Sequence, residues 1–281
     1  MKDIIIVNPE ELERKIKEFK KSGADKLHVL SDFDRTLTTA FVNREKTPSV
    51  ISILRDGSYI NQEYAMEAQA LFNKYHPIEL DPSIPYQEKK KAMERWWREH
   101  FNLLIRSGLN KKDIERAVKS GKVRLRRGVS KLFSLLHEQG VPLVIMSSAG
   151  LGVESISLFL GNEDILYDNV FIISNEYEWS DEGRAVRVKE PIIHNMAKKE
   201  TSVKSLPIYQ QLLKRNNVLL FGDGEDDPDM VEGFPYKNLI KIGFLSYDTD
   251  KLLERYKGLY DVLILNDGSF DYVNELMGKI I

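Results

Sequence analysis

No cysteine occurs anywhere in the 281 residues, which excludes a disulfide framework, a thiolate zinc site and a thiol nucleophile and fits a reducing compartment. Net charge is nearly absent as well. With 41 Lys and Arg against 43 Asp and Glu the formal charge is -2, so no long-range field suits the chain to nucleic acid or to a membrane surface, and a small molecule is the expected partner. No apolar run approaches the roughly 20 residues needed to cross a bilayer. The opening stretch, MKDIIIVNPEELERKIKEF, places a few apolar residues before a charged amphipathic segment, which is neither a leader nor an anchor. These absences describe a soluble, cytoplasmic, monomeric protein. The five histidines, His28, His76, His100, His137 and His194, show no ligating spacing, and there is no internal repeat or low-complexity segment.

What the chain does have is 42% hydrophobic and 10% aromatic residues, enough for a real core. Short unbroken apolar runs recur at Leu27 to Ser31, Leu143 to Ser147, Val170 to Ser174, Val218 to Phe221, Leu239 to Leu245 and Val262 to Leu265, the pattern of buried parallel strands. Helical periodicity falls between most of them, at Val129 to Glu138, Gly152 to Leu160, Thr249 to Tyr256 and Phe270 to Met277, and Leu12, Ile16 and Phe19 make a core-facing stripe on a first helix. This alternation predicts an α/β fold with a Rossmann-like doubly wound parallel sheet. From about Lys46 to Gly121 the rhythm fails: no strand appears, but amphipathic stretches run near Ile60 to Tyr75, Tyr86 to Ser107 and Lys111 to Lys119. So long an interval cannot be a loop in a compact domain. Residues 46–121 are therefore expected to form an inserted helical cap, and 1–45 with 122–281 the α/β core.

Ligands of an open parallel sheet bind at the carboxyl ends of its strands. Three predicted strands end in polar clusters, LSDFDRT, MSSAG and FGDGEDDPD, which should meet in one crevice under the cap. Asp32 and Asp34 from the first cluster would then converge with Asp223 and Asp227 from the third. At around 4 Å each like-charge pair repels by roughly 4 kcal/mol at an effective dielectric of 20, so a cation is required. Oxygen-only donors favour a hard ion, Mg²⁺ where phosphate must also be held. An EF-hand is excluded, because Pro228 stands where glycine is needed and Phe234 where the bidentate Glu belongs. Phosphomonoester hydrolysis fits this set. Asp32 would attack phosphorus, Asp34 would protonate the leaving oxygen and then deprotonate water, a lysine would help neutralise the anion, and Ser148 with the amides of Ala149 and Gly150 would donate to the phosphoryl oxygens. The loop is neither a Walker loop nor GxGxxG. Singly, these signals have plainer readings: a DxD is often a turn, Ser147 and Ser148 can cap a helix, and one of the adjacent Trp96 and Trp97 belongs in the cap core.

Together, DFDRT, SSAG, a lysine and GDGEDD resemble motifs I to IV of the haloacid dehalogenase superfamily. HVLSDFDRTLT, KYHPIELDP, MERWWREH, VIMSSAGLG, IIHNMAKK, LLFGDGEDDPDM and IKIGFL resemble more narrowly the cytosolic pyrimidine 5′-nucleotidase family, also called cytosolic 5′-nucleotidase III, over nearly the whole chain. The resemblance implies hydrolysis of pyrimidine or modified-purine nucleoside 5′-monophosphates through an aspartyl-phosphate on Asp32, with Asp34 as acid/base and Thr36 as the motif-I threonine. It further implies Mg²⁺ held by Asp32, the carbonyl of Asp34 and Asp223, with Asp227 in support. By the same likeness Lys198, rather than Lys199, is the motif-III lysine, Glu79 reads the base and Trp97 stacks on it. Met93, one helical turn before Trp97, is expected to share its face and grip the ring. Arg35, Gly224 and Asp226 depart from the family pattern. The competing readings are a capped phosphatase for phosphoserine or a sugar phosphate, and a noncatalytic nucleotide-binding module.

Overall fold

The computed structural model describes residues 3–56, 59–81, 83–194, 196, 198, 207–233 and 235–281. In chain order the elements are β1 (Ile4–Ile6), α1 (Pro9–Ser22), β2 (Leu27–Ser31), β3 (Phe41–Val42), β4 (Glu45–Lys46), α2 (Val50–Asp56), α3 (Gln62–Leu80), α4 (Tyr86–Arg106) and α5 (Lys111–Val118). Then come α6 (Val129–Glu138), β5 (Leu143–Met146), α7 (Gly152–Asn162), β6 (Val170–Ile173), β7 (Tyr177–Trp179), β8 (Ala185–Val188), α8 (Tyr209–Leu212), β9 (Asn217–Gly222), β10 (Asn238–Leu245), α9 (Thr249–Lys257), β11 (Val262–Leu265) and α10 (Asp271–Ile280).

Seven strands form the central sheet in the order β1-β11-β10-β9-β2-β5-β6. All neighbours are parallel except β1, which pairs antiparallel with β11. From β2 the chain first builds outward through β5 and β6, then returns to build β9, β10 and β11 on the other side, so the direction of winding reverses at β2. A crevice opens at such a reversal, at the carboxyl ends of the strands.

The unbroken apolar runs are explained by burial on both faces. Val29, Leu143, Ile145, Leu219 and Phe221 join the core on one face, whereas Leu30, Val144, Met146, Val218 and Leu220 join that on the other. Alternate residues point to opposite faces of a strand, so every position is apolar when helices cover both sides. Each such side chain contributes roughly 1.5 to 3 kcal/mol by leaving water.

Between β4 and α6 the chain forms the inserted helical cap, α2 to α5. Its apolar residues, among them Ile53, Leu54, Tyr64 and Phe101, are continuous with one core face of the sheet. α2 carries no amphipathic signal in the sequence, because Val50, Ile51, Ile53 and Leu54 are all buried. α3 extends past the expected end at Tyr75, although Pro77 argues for a break there. The helix instead runs to Leu80 and closes with Asp81 N–H donating to Pro77 O at 3.1 Å. A proline one turn from the end removes a single hydrogen bond and need not stop the helix. Glu79 therefore lies on a helix, not in a turn.

His28 on β2 and His100 on α4 are both buried. Removal from water holds each imidazole down near a pKa of about 4, and Arg55 adds to the effect at His100. A histidine neutral in the fold but protonated in the unfolded chain contributes stability that is complete above about pH 6.5 and is lost as pH falls toward 4. His100→Gln, which can still bond to Tyr64, is expected to flatten this acid limb in a plot of thermal midpoint against pH. An unchanged slope between pH 6.5 and 4.5 would contradict that origin.

Candidate active site

The three polar clusters meet, because β2, β5 and β9 are adjacent and parallel. Asp32 follows β2 directly, its N–H donating to Phe221 O at 3.0 Å, and it is only 4% exposed. Lys198, 6% exposed, donates from Nζ to Asp32 Oδ1 at 2.5 Å and to Asp227 Oδ1 at 2.7 Å. Lys199, the alternative motif-III lysine, lies outside the described residues, as does Phe234. Thr36 Oγ1 donates to Asp32 Oδ2 at 3.1 Å. Thr36 is wholly buried, so it fixes the Asp32 rotamer and does not line the cleft where a substrate-binding role would place it.

The loop after β9 is folded around Asp227, whose Oδ2 accepts the N–H groups of Asp223 and Gly224 at 2.9 and 2.8 Å. A Cβ on Gly222 would come within 2.4 Å of Asp227 Cβ, so that approach needs glycine; at Gly224 the nearest Asp227 atom would be 3.3 Å away. Two stacked tyrosines from the end of α9 brace the same loop, Tyr256 donating to Asp223 O at 2.7 Å and Tyr260 to Gly224 O at 2.5 Å. Ligand oxygens of Asp32, Asp223 and Asp227 lie within 4.8 Å of one another. The Asp34 side chain is not part of this group.

Burial pushes Asp32 and Asp223 above the usual carboxylate range and their acidic neighbours push them further, while Lys198 and Arg35 respectively pull them back. Arg35 Nε lies 3.2 Å from Asp223 Oδ2. These carboxylates outnumber the cations that touch them, so the donor set fits a small, hard divalent ion. Asp32, Asp223 and Asp227 are the side chains that could hold such an ion, and Asp227 also shapes the loop through the two amides it accepts.

Above the charged cluster is a cleft of about 240 Å³ between core and cap. Asp34, Arg35, Ser148, Ala149 and Gly150 line its core side, and Ile51, Arg55, Phe72, Glu79, Trp96, Trp97 and His100 its cap side. Burial raises the Asp34 carboxyl, against the pull of Arg35 and Lys198, which is the direction that favours a proton on a general acid. The turn carrying Ser148 runs into α7, whose N-terminus has no side-chain cap, and Ala149 N–H donates to Ser147 Oγ at 3.2 Å.

On the cap wall both tryptophans reach the cleft, rings 6.3 Å apart and 22° from parallel, so neither is purely core. Glu79 is also there and lies 3.1 Å from His76 Nδ1. Met93 is not. It is 1% exposed and packs with Tyr75 and Met196, away from the Trp97 ring, which instead stacks on Phe101 at 5.4 Å. Spacing of i and i+4 places two side chains on one broad face, but α4 passes different neighbours at successive turns.

Arg126 also went unrecognised in the sequence. Only 1% exposed, it donates to Thr36 O at 2.9 Å and to Gly268 O at 2.8 Å, and also to Arg35 O; it pairs with Asp267 at 2.8 Å. It clamps the back of the loop that carries Asp32 and Asp34. In RLRRG it reads as one surface cation among several, and nothing local marks it out.

The family model described as "Pyrimidine 5′-nucleotidase (UMPH-1)" matches residues 35–281. The 7-methylguanosine phosphate-specific 5′-nucleotidase of Gallus gallus is 33% identical over 277 residues, 98% of this chain and 95% of that protein. Its counterpart in Homo sapiens is 32% identical over 279 residues, 99% and 92% of the two chains. Among solved structures, cytosolic 5′-nucleotidase IIIB bound to cytidine superposes with a TM-score of 0.90 at 27% identity, covering 100% of this chain and 94% of that one.

Proposed function

Because the chain belongs to the pyrimidine 5′-nucleotidase (UMPH-1) family, we propose that it is a cytosolic hydrolase of nucleoside 5′-monophosphates, working through a covalent phosphate on Asp32. The observation that carries this reading is the buried Asp32 carboxylate, held by Lys198 and Thr36 beneath a cleft whose opposite wall is aromatic. Asp32 attacks phosphorus as the bond to the 5′ oxygen breaks, and Asp34 gives that oxygen its proton. Water then attacks the phosphoryl group of the acyl phosphate, Asp34 takes the water's proton, and the Asp32 carboxylate is restored with release of orthophosphate. Ser148 and the Gly150 amide donate to the phosphoryl oxygens, joined by the Ala149 amide once it releases Ser147 Oγ, while Lys198 offsets their charge.

Asp32, the Asp34 carbonyl and Asp223, with Asp227 in support, would hold Mg²⁺, which would neutralise the phosphoryl oxygens. The cap, residues 46–121, supplies recognition: Trp97 stacks on the base and Glu79 accepts from it, while Met93 supports the cap from within. Pyrimidine and modified-purine nucleotides are the preferred substrates, in keeping with the names of the relatives and the cytidine of the similar structure.

Orthophosphate release from nucleoside monophosphates, phosphoserine and sugar phosphates, with and without Mg²⁺, tests the reading; a preference for phosphoserine or a sugar phosphate would overturn it. Trp97→Ala is expected to raise KM for nucleotides about tenfold, given stacking worth about 1 to 3 kcal/mol per base, and to leave p-nitrophenyl phosphate nearly unaffected. Equal losses on the two substrates would count against base stacking.

A further inference from the structure

We infer that Asn175 is a positioning residue that locks the phosphate-binding turn to the segment bearing Lys198. The inference rests on the functional reading above. Asn175 lies two residues beyond β6, is 1% exposed and touches neither the cleft nor the carboxylate cluster. Its side-chain amide is nevertheless bonded to both loops that must cooperate in the reaction. Nδ2 donates to Ala149 O at 3.2 Å and to Ile193 O at 2.9 Å, while Oδ1 accepts from Ile193 N–H at 2.9 Å. Ala149 is the middle residue of the turn that offers donors to phosphate, and Ile193 stands five positions before Lys198.

The pattern fixes the amide orientation. The oxygen must face the Ile193 N–H and the nitrogen must face two carbonyls, so both donors and one acceptor site are used. The main chain of Asn175 adds a further constraint: its carbonyl accepts Val153 N–H at 2.9 Å, in the first turn of α7. The same carbonyl oxygen would lie 2.1 Å from a Cβ on Gly152, whose φ is +68°. Only glycine permits that approach, and it draws the start of α7 onto Asn175. One buried side chain and its own carbonyl thus set the Ala149 turn, the α7 N-terminus and the backbone at Ile193, five residues before Lys198, relative to one another. Residual motion between them matters, because misplacement by 1 Å of groups that hold a reacting phosphate costs on the order of 10²-fold in rate.

Asn175→Asp keeps the size of the side chain but turns an oxygen toward two carbonyls, and Asn175→Ser is too short to span the loops. In both, kcat on the best nucleoside monophosphate is expected to fall by on the order of 10²-fold. Orthophosphate, titrated calorimetrically into the full-length protein, is expected to bind at least about tenfold more weakly, with a clearly smaller loss in cytidine affinity, since Asn175 bonds to the turn and not to the cap wall. A fall in kcat that merely follows the folded fraction, with orthophosphate affinity intact, would assign Asn175 to scaffolding alone and overturn the inference. So would failure of both variants to fold. If the wild-type protein released no phosphate from any nucleotide, the functional reading would fail instead, and the orthophosphate titration would still judge Asn175.

Discussion

Asp32→Asn is expected to abolish phosphate release from every substrate, by on the order of 10⁴-fold or more, because the attacking atom itself is removed. The same substitution is expected to leave the protein folded. Burial and the charges of Asp227 and Asp223 push the Asp32 carboxyl up while Lys198 pulls it down, and an amide oxygen can still accept from Lys198, which keeps Asp227 as its charged partner. A thermal midpoint near the wild-type value alongside lost activity separates the missing attacking atom from general unfolding. A variant that keeps more than a hundredth of the wild-type kcat would remove Asp32 from the role of nucleophile.

Lys198→Met is expected to be the most damaging change to activity and stability together. The lysine bridges Asp32 and Asp227, and all three side chains are nearly fully buried. Taking away one partner of a buried charge pair strands the other, at a cost of about 3 to 5 kcal/mol, and here two acceptors are stranded at once. Loss of the cation next to the phosphoryl group is expected to lower kcat by on the order of 10³-fold. Added Mg²⁺ is expected to restore part of the stability, since it neutralises the same carboxylates, but not the rate. Thermal midpoints with and without Mg²⁺, alongside kcat, check both halves. A variant as stable as the wild type in chelator would show that the ion pair does not hold this cluster together.

Most of the sheet was legible because burial on both faces leaves an unmistakable trace. The runs at β2, β5, β6, β9, β10 and β11 stand within a few residues of where apolar character alone placed them. Parallel alignment then brings the polar strand ends to one edge, so the convergence of Asp32 with Asp223 and Asp227 followed from topology. Elements whose residues are shared with solvent were harder. β1 is three residues long, and β7 and β8 form a hairpin outside the main sheet; in each, the pairing partner supplies what the local pattern lacks. Side-chain roles were least legible where they depend on remote contacts. Arg126 owes its place to Asp267 and to Phe244, whose ring lies 4.6 Å from the guanidinium, and Asn175 to loops that are adjacent only after folding. Met93 shows the limit of helical spacing, since it packs inside the cap with Tyr75 of α3 and Met196 and does not itself line the cleft.

Gly150 is where the two halves of the cleft touch. A methyl group there would fall 2.4 Å from the Ile51 side chain and 2.6 Å from the Trp97 ring, so the cap rests directly on the backbone of the turn between β5 and α7. Tyr177 donates to Gly150 O at 2.7 Å and stands edge-on to Phe101 of α4 at 5.9 Å, tying the turn to the helix that carries Trp97. Any side chain at position 150 would wedge the cap away from the turn, so the two can close on one another only over glycine.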